Sequence, residues 1–232
     1  MVTFDDAVSS LASSKLPLVC VDTCIWLDFL RGRFNSSRAR DGIEKLRCFN
    51  NKDFRIVVPS QVLVEYNRNK GGRMAEYASI LKGISSDFNK YLEDIKERNF
   101  PGLTTLREDY MDFIKNTYES SVNKLFDAII VYKVTEDMYK KGAIRSCERL
   151  GPAARRGSSA ADSVIVESFI ELVDKLRSLG FQLTSYFLTS NTNDFSDPRN
   201  KELIHPDLKD EFNNKNINYF SDFLRFINLG KY

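Results

Sequence analysis

Short apolar runs alternate along the chain with stretches of helical periodicity. Leu18-Val19-Cys20-Val21 is an apolar run entered through Pro17 and closed by Asp22-Thr23, the pattern of a strand buried on both faces in a parallel sheet. Asp22 or Thr23 can cap the segment that follows, where Ile25, Trp26, Phe29 and Leu30 recur at helical spacing before Gly32. The plan then repeats. Phe54-Arg55-Ile56-Val57-Val58 predicts a second strand, Pro59-Ser60 a turn, and Val62, Leu63 and Tyr66 a second helix. Two strand–helix units in succession point to an α/β fold with a parallel sheet.

From Arg73 to about Ser121 the pattern becomes long, charged and amphipathic. Tyr77, Ile80, Leu81, Ile84, Phe88, Tyr91 and Leu92 fall at helical intervals, and Pro101-Gly102 breaks the run. This predicts a helical insertion over about 73–121 within a single domain spanning 1–232. Further helices are predicted from about Val122 to Tyr132 and from Glu136 to Leu150, followed by a flexible loop from Gly151 to Ser159. Ala160 to Leu179 is strongly amphipathic and is ended by Gly180. Tyr186-Phe187-Leu188-Thr189 predicts a third strand, leading into the polar turn Ser190 to Asp194. Ile217-Asn218-Tyr219-Phe220 predicts the last strand, with Phe223, Leu224 and Ile227 on a closing helix. The expected fold is a three-layer α/β/α sandwich around a central, mostly parallel sheet.

Composition adds limits. With 232 residues, 42% of them hydrophobic, the chain buries well over half of its unfolded surface and needs no disulfides. Cys20, Cys24, Cys48 and Cys147 form no CxxC pair and stand near no histidine cluster, so they read as reduced and structural. Met1 to Ser14 lacks the character of a signal peptide, and no apolar run has the length of a membrane span. A soluble, cytoplasmic protein is expected. Net charge is +2, from 34 basic and 32 acidic residues, without the excess usual in nucleic-acid binders. Distribution says more. Lys140, Lys141, Arg145, Arg149, Arg155 and Arg156 crowd one segment against a single acid, Glu148. Taken alone this is a solvated helix face leading into a polar loop. Beside a site that needs phosphates, Arg155 and Arg156 become candidate RNA-binding residues.

In an open parallel sheet, ligands bind where the chain leaves the carboxyl ends of the strands. Asp22 follows the first strand at once, and Glu65 lies early in the helix after the second. Asp162 opens the long helix, and Asn191 and Asp194 lie in the turn after the third strand. Each has an ordinary account: an N-cap for Asp22, a helix-dipole carboxylate for Asp162, a surface residue for Glu65, an Asx turn for Asp194. Gathered at one sheet edge, they would repel and require a cation. Oxygen donors without histidine or thiolate favour a hard divalent ion, Mg²⁺ or Mn²⁺. His205, the only histidine, lies beyond this turn and is expected to anchor its loop by a hydrogen bond. Of the aromatics that could stack on bases, Trp26 and Phe195 occupy core-like positions, which leaves Tyr66.

Four segments resemble the ordered motifs of PIN-domain nucleases. Val19-Cys20-Val21-Asp22-Thr23 is similar to the first, a strand ending in Asp before Thr or Ser. Val58-Pro59-Ser60-Gln61-Val62-Leu63-Val64-Glu65 resembles the second, Ser159-Ala160-Ala161-Asp162 the third, and Leu188-Thr189-Ser190-Asn191-Thr192-Asn193-Asp194-Phe195 the fourth. The resemblance implies Mg²⁺- or Mn²⁺-dependent cleavage of RNA, with Asp22, Glu65, Asp162 and Asp194 as the acidic cluster and Asn191 as an accessory metal ligand. It also brings in the family's partners, a protein inhibitor or antitoxin and a second copy in a homodimer. The chain is longer than the compact toxin-type (VapC-like) members and carries Leu203-Ile204-His205-Pro206-Asp207-Leu208 after the fourth motif. That tail is similar to a larger PIN-like subgroup. Toxin, RNA-processing and antiviral settings all stay open. Two rival functions stand beside the endoribonuclease: a structure-specific DNA nuclease of the flap type, and a non-catalytic PIN-like domain that binds RNA or a protein. A Rossmann-type phosphate binder fits poorly, since no Gly-rich loop follows the first strand.

Overall fold

Strand β1 (Leu18–Val21) is buried along its whole length and lies at the centre of a five-stranded sheet. This computed structural model describes residues 1–30, 43–47, 50–96, 109–154 and 160–229. Strands β2 (Arg55–Pro59), β3 (Ile130–Tyr132), β4 (Ser185–Leu188) and β5 (Ile217–Phe220) complete the sheet in the order β3-β2-β1-β4-β5. All four pairings are parallel, so the sheet is wholly parallel where a mostly parallel one was expected. Leu18 pairs with Arg55 on one side and with Ser185 on the other. The chain leaves β1 towards β2 and β3, then returns to the far side through β4, which makes the β1/β4 boundary the topological switch point.

Helices α1 (Phe4–Ala12), α2 (Thr23–Leu30), α3 (Ser60–Lys96), α4 (Tyr110–Ile114), α5 (Ser120–Ala128), α6 (Glu136–Cys147), α7 (Ala160–Ser178), α8 (Thr192–Phe195), α9 (Pro206–Asn214) and α10 (Phe223–Leu229) flank the sheet, with a π-turn at Lys115–Glu119. The architecture is the α/β/α sandwich that the strand–helix alternation predicts. Helix α1 begins with a capping box, in which Thr3 and Asp6 satisfy each other's backbone and side-chain groups. Helix α7 buries Val164, Ile165, Val166, Phe169, Ile170, Leu172, Val173 and Leu176. Each such side chain contributes about 1.5–3 kcal/mol relative to exposure, so this helix is pinned to the sheet from its first turn to its last.

Three expectations are corrected. The helix expected to reach Tyr132 stops at Ala128, and Ile130-Val131-Tyr132 form β3. β-Branched side chains favour a pleated surface, and pairing with β2 supplies one that local periodicity cannot reveal. Val2 bonds both ways to this strand's edge, its N–H to Val131 at 2.8 Å and its carbonyl to Lys133 N–H at 3.0 Å. Ser60 opens α3 directly instead of forming a turn, and α3 runs unbroken through Gly71-Gly72 to Lys96. The expected break at Pro101-Gly102 lies outside the described residues. The segment expected as a flexible loop starts as a turn in which Gly151, Pro152 and Ala153 are buried; residues 155–159 lie outside the described set.

Candidate active site

Asp22 is the first residue past β1 and is only 1% exposed. Its N–H donates to Leu188 O at 2.9 Å, which locks it to the end of β4. Its carboxylate is held on both oxygens. Oδ1 accepts the Thr23 N–H at 2.7 Å, and Oδ2 accepts the Thr189 hydroxyl at 2.7 Å and the Cys24 thiol at 3.0 Å. Burial raises the Asp22 pKa; the bonds from Thr189, Cys24 and Thr23 pull it back down, and the nearby Asp28 pushes it up again.

Glu65 reaches the same region from α3. The Thr23 hydroxyl donates to its Oε2 at 3.0 Å, tying α2 to α3, and Arg68 Nη2 stands 3.6 Å from its Oε1. Asp162 arrives from the first turn of α7, and Asn191 and Asp194 from the turn after β4. One amide joins the last three: Asn191 Nδ2 donates to Asp194 Oδ2 at 2.9 Å and lies 3.3 Å from Asp162 Oδ2. Thr189 links the two halves, since its hydroxyl also accepts the Asn191 N–H at 3.0 Å.

Asp162 reports how closely these acids are gathered. Its carboxyl is pushed up to about 9, first by burial and then by the negative charge of Asp22, Glu65 and Asp194. The four predicted acids are therefore brought into electrostatic contact from four separate segments. Among the described residues, no three His, Cys, Asp or Glu side chains stand close enough to form a ready-made metal cage. The acids are instead spaced by the hydroxyl and amide groups of Thr23, Thr189 and Asn191. Charge coupling extends further than ligand distance, so the two observations agree. A donor set of carboxylate and amide oxygens whose charges repel one another fits a hard divalent cation.

Sequence reasoning missed several residues here. Asp28, one and a half turns into α2, is 3% exposed, and its Oδ2 accepts the Ser190 hydroxyl at 2.5 Å. It had no motif to mark it; a charged residue on the apolar face Ile25-Trp26-Phe29 was the available signal. Cys24, expected as simple packing, also accepts the Ser190 N–H at 3.0 Å. Cys20, Cys24 and Cys147 are free and Cys147 is exposed, while Cys48 lies outside the described residues.

Three residues of the basic segment are held in ion pairs. Lys140 pairs with Glu136, and Lys141 with Asp137 and Glu171. Arg145 is buried; it pairs with Glu167, makes two bonds to Glu211 at 2.7 and 2.9 Å and one to Gly151 O at 3.1 Å. Arg155 and Arg156 lie outside the described residues. His205 caps α9, its Nδ1 accepting the Asp207 N–H at 3.3 Å, which is the anchoring role expected of it. Trp26 and Phe195 are in the core as expected, and so is Tyr66, which removes the remaining stacking candidate.

An all-parallel α/β domain with acids at its switch point presents them where ligands bind in such sheets. The sequence matches the PIN-domain family over residues 19–195, and the chain belongs to that family. PIN domains are as a class nucleases that use divalent metals. No curated protein and no solved structure matches the chain. Among the described residues, no helix is long and apolar enough to cross a membrane.

Proposed function

We propose that this chain is a metal-dependent endoribonuclease that hydrolyses RNA phosphodiester bonds with water. Asp22, Glu65, Asp162 and Asp194 would hold Mg²⁺ or Mn²⁺, with Asn191 as an accessory ligand. One observation carries this: Asp162 is buried and lies within electrostatic reach of Asp22, Glu65 and Asp194, so that burial first and these three charges next raise its pKa. Such a cluster is stable in its ionised form only beside a cation. When bound, the ion supplies Lewis-acid activation of water and neutralises charge on the phosphodiester.

The chain's own groups prepare the site. Thr189 and Cys24 orient Asp22, Thr23 orients Glu65, and the Asn191 amide holds Asp162 and Asp194 in one arrangement. RNA as the substrate is supported by the resemblance of all four motifs to the ribonuclease members of the family, and Arg155 and Arg156 are proposed to take backbone phosphates. A cognate inhibitor and a homodimer remain part of this proposal.

The test uses Asp22→Asn and Asp162→Asn with a mixed pool of single-stranded RNA and Mn²⁺. Each substitution should abolish cleavage while the circular dichroism spectrum stays that of the parent. Cleavage retained by both variants sinks the assignment. Single-stranded and flap DNA run alongside should survive; preferential cleavage of the flap moves the protein to the DNA-nuclease reading, and tight binding without turnover moves it to the non-catalytic one.

A further inference from the structure

We infer that Arg68 is a substrate-binding residue with two successive partners: it neutralises Glu65 until that carboxylate holds a metal ion, and then binds a backbone phosphate beside the acids. This deepens the nuclease reading above and rests on it. Glu65 and Arg68 stand three residues apart on α3 and so share a face of the helix. Arg68 Nη2 lies 3.6 Å from Glu65 Oε1, while Glu65 Oε2 accepts the Thr23 hydroxyl at 3.0 Å. The guanidinium is therefore set against the acidic cluster itself, since Glu65 is one of the acids whose charge reaches Asp162.

The pair is unlike its neighbours. Arg73–Glu76 and Lys90–Asp87 repeat the spacing on the same helix, but both partners in each are exposed. In Arg68–Glu65 the carboxylate side chain is 7% exposed and the arginine 66%. The acid belongs to the interior, and the cation reaches it from solvent. Lys70, two residues on, is turned to Glu119, and Arg145 is held by two carboxylates and a carbonyl. The Arg68 contact is an ion pair at the solvent edge, which costs little to break.

Electrostatics decides the second partner. Once Glu65 gives its charge to a divalent ion, a guanidinium 3.6 Å away faces a cation in place of an anion. It must turn to another negative group. A phosphodiester chain laid on the acids carries further phosphates on either side of the cleaved bond. Guanidinium matches a phosphate with two parallel hydrogen bonds, and the exposed Arg68 side chain reaches one by rotation alone.

The experiment has two arms. Calorimetric titration of Mn²⁺ into RNA-free protein reads the first partner. Arg68→Ala should bind Mn²⁺ about two- to fivefold more tightly than the parent, because a competing ion pair is gone. Steady-state cleavage of an RNA oligonucleotide by Mn²⁺-loaded protein at several salt concentrations reads the second. Arg68→Ala should raise KM about tenfold with kcat little changed, and the slope of log KM against log salt should become shallower by about 0.7. Arg68→Lys keeps the charge and should retain the parent's slope, with an intermediate KM because it lacks the fork. Mn²⁺ affinity of Arg68→Ala equal to or below the parent's overturns the exchange, and an unchanged KM and slope overturns the phosphate contact. In either event cleavage by the parent with Mn²⁺ leaves the nuclease reading intact. A parent that neither binds Mn²⁺ nor cleaves RNA overturns both.

Discussion

The hydroxyl of Thr189 donates to Oδ2 of Asp22 across 2.7 Å, joining the ends of the two central strands although 167 residues separate them in sequence. The Thr189 hydroxyl oxygen in turn accepts the Asn191 N–H at 3.0 Å. One small side chain therefore sets the spacing between the β1 acid and the turn that carries Asn191 and Asp194. Thr189→Val keeps the shape but leaves the Asp22 carboxylate and a backbone N–H short of a partner. A loss of about 1–3 kcal/mol is expected for such buried groups, measured by urea unfolding, with a higher Mn²⁺ requirement for cleavage. Thr189→Ser should restore both.

Asp162 is held against its own ionisation, which separates activity from stability. Asp162→Asn removes the charge while keeping an amide of similar size. Metal-free protein carrying it should be more stable than the parent by about 1–3 kcal/mol, a rise in Tm of about 2–4 °C for each kcal/mol. Cleavage should be lost. Calorimetry in EDTA checks the first and an RNA assay the second; a metal-free variant less stable than the parent contradicts the electrostatic account.

The pH dependence has a defined sign. Asp162 has a folded-state pKa of about 9, raised by burial and by neighbouring acids above the 3.8 of an ordinary aspartate. Between these values the folded chain holds a proton that the unfolded chain has released, so stability falls as pH rises. The contribution is full below the unfolded pKa and is lost as pH passes through the folded one. In EDTA, the unfolding free energy of the parent should decline between pH 5 and 9 more steeply than that of Asp162→Asn. Parallel profiles would refute the shift.

Arg145 is a buried cation satisfied by Glu167, Glu211 and the Gly151 carbonyl, and it ties α6 to α7, α9 and the turn after α6. Removing one side of such a group leaves uncompensated charge. Arg145→Ala should cost about 3–5 kcal/mol in chemical denaturation. Arg145→Lys should recover only part of this, because an ammonium cannot reproduce the two-pronged contact with Glu211.

The strand-end acid was legible from sequence because an apolar run that stops at a charged residue has one reading in a parallel sheet. Asp22 and Asp162 at the ends of their elements followed from such local patterns, as did β1, β2, β4, β5 and the anchoring hydrogen bond of His205, while the order of the four motifs followed from the family resemblance. The β3 strand was not legible, since Ile130-Val131-Tyr132 is compatible with either period until β2 offers it an edge. Nor was the burial of Arg145 and Tyr66, whose neighbours come from distant segments.

Sequence by itself determined which residue types stand at the end of each element, and hence that acids would gather at one sheet edge. Only the tertiary structure decided how those acids are spaced and which groups hold them. Asp28, Thr189 and Cys24 enter the site through contacts between α2 and the end of β4. Their partners lie more than 160 residues away, and no periodicity spans that distance. The same physics drew Lys140, Lys141 and Arg145 of the basic segment into ion pairs. Local pattern reports what a side chain can do, and packing decides what it meets.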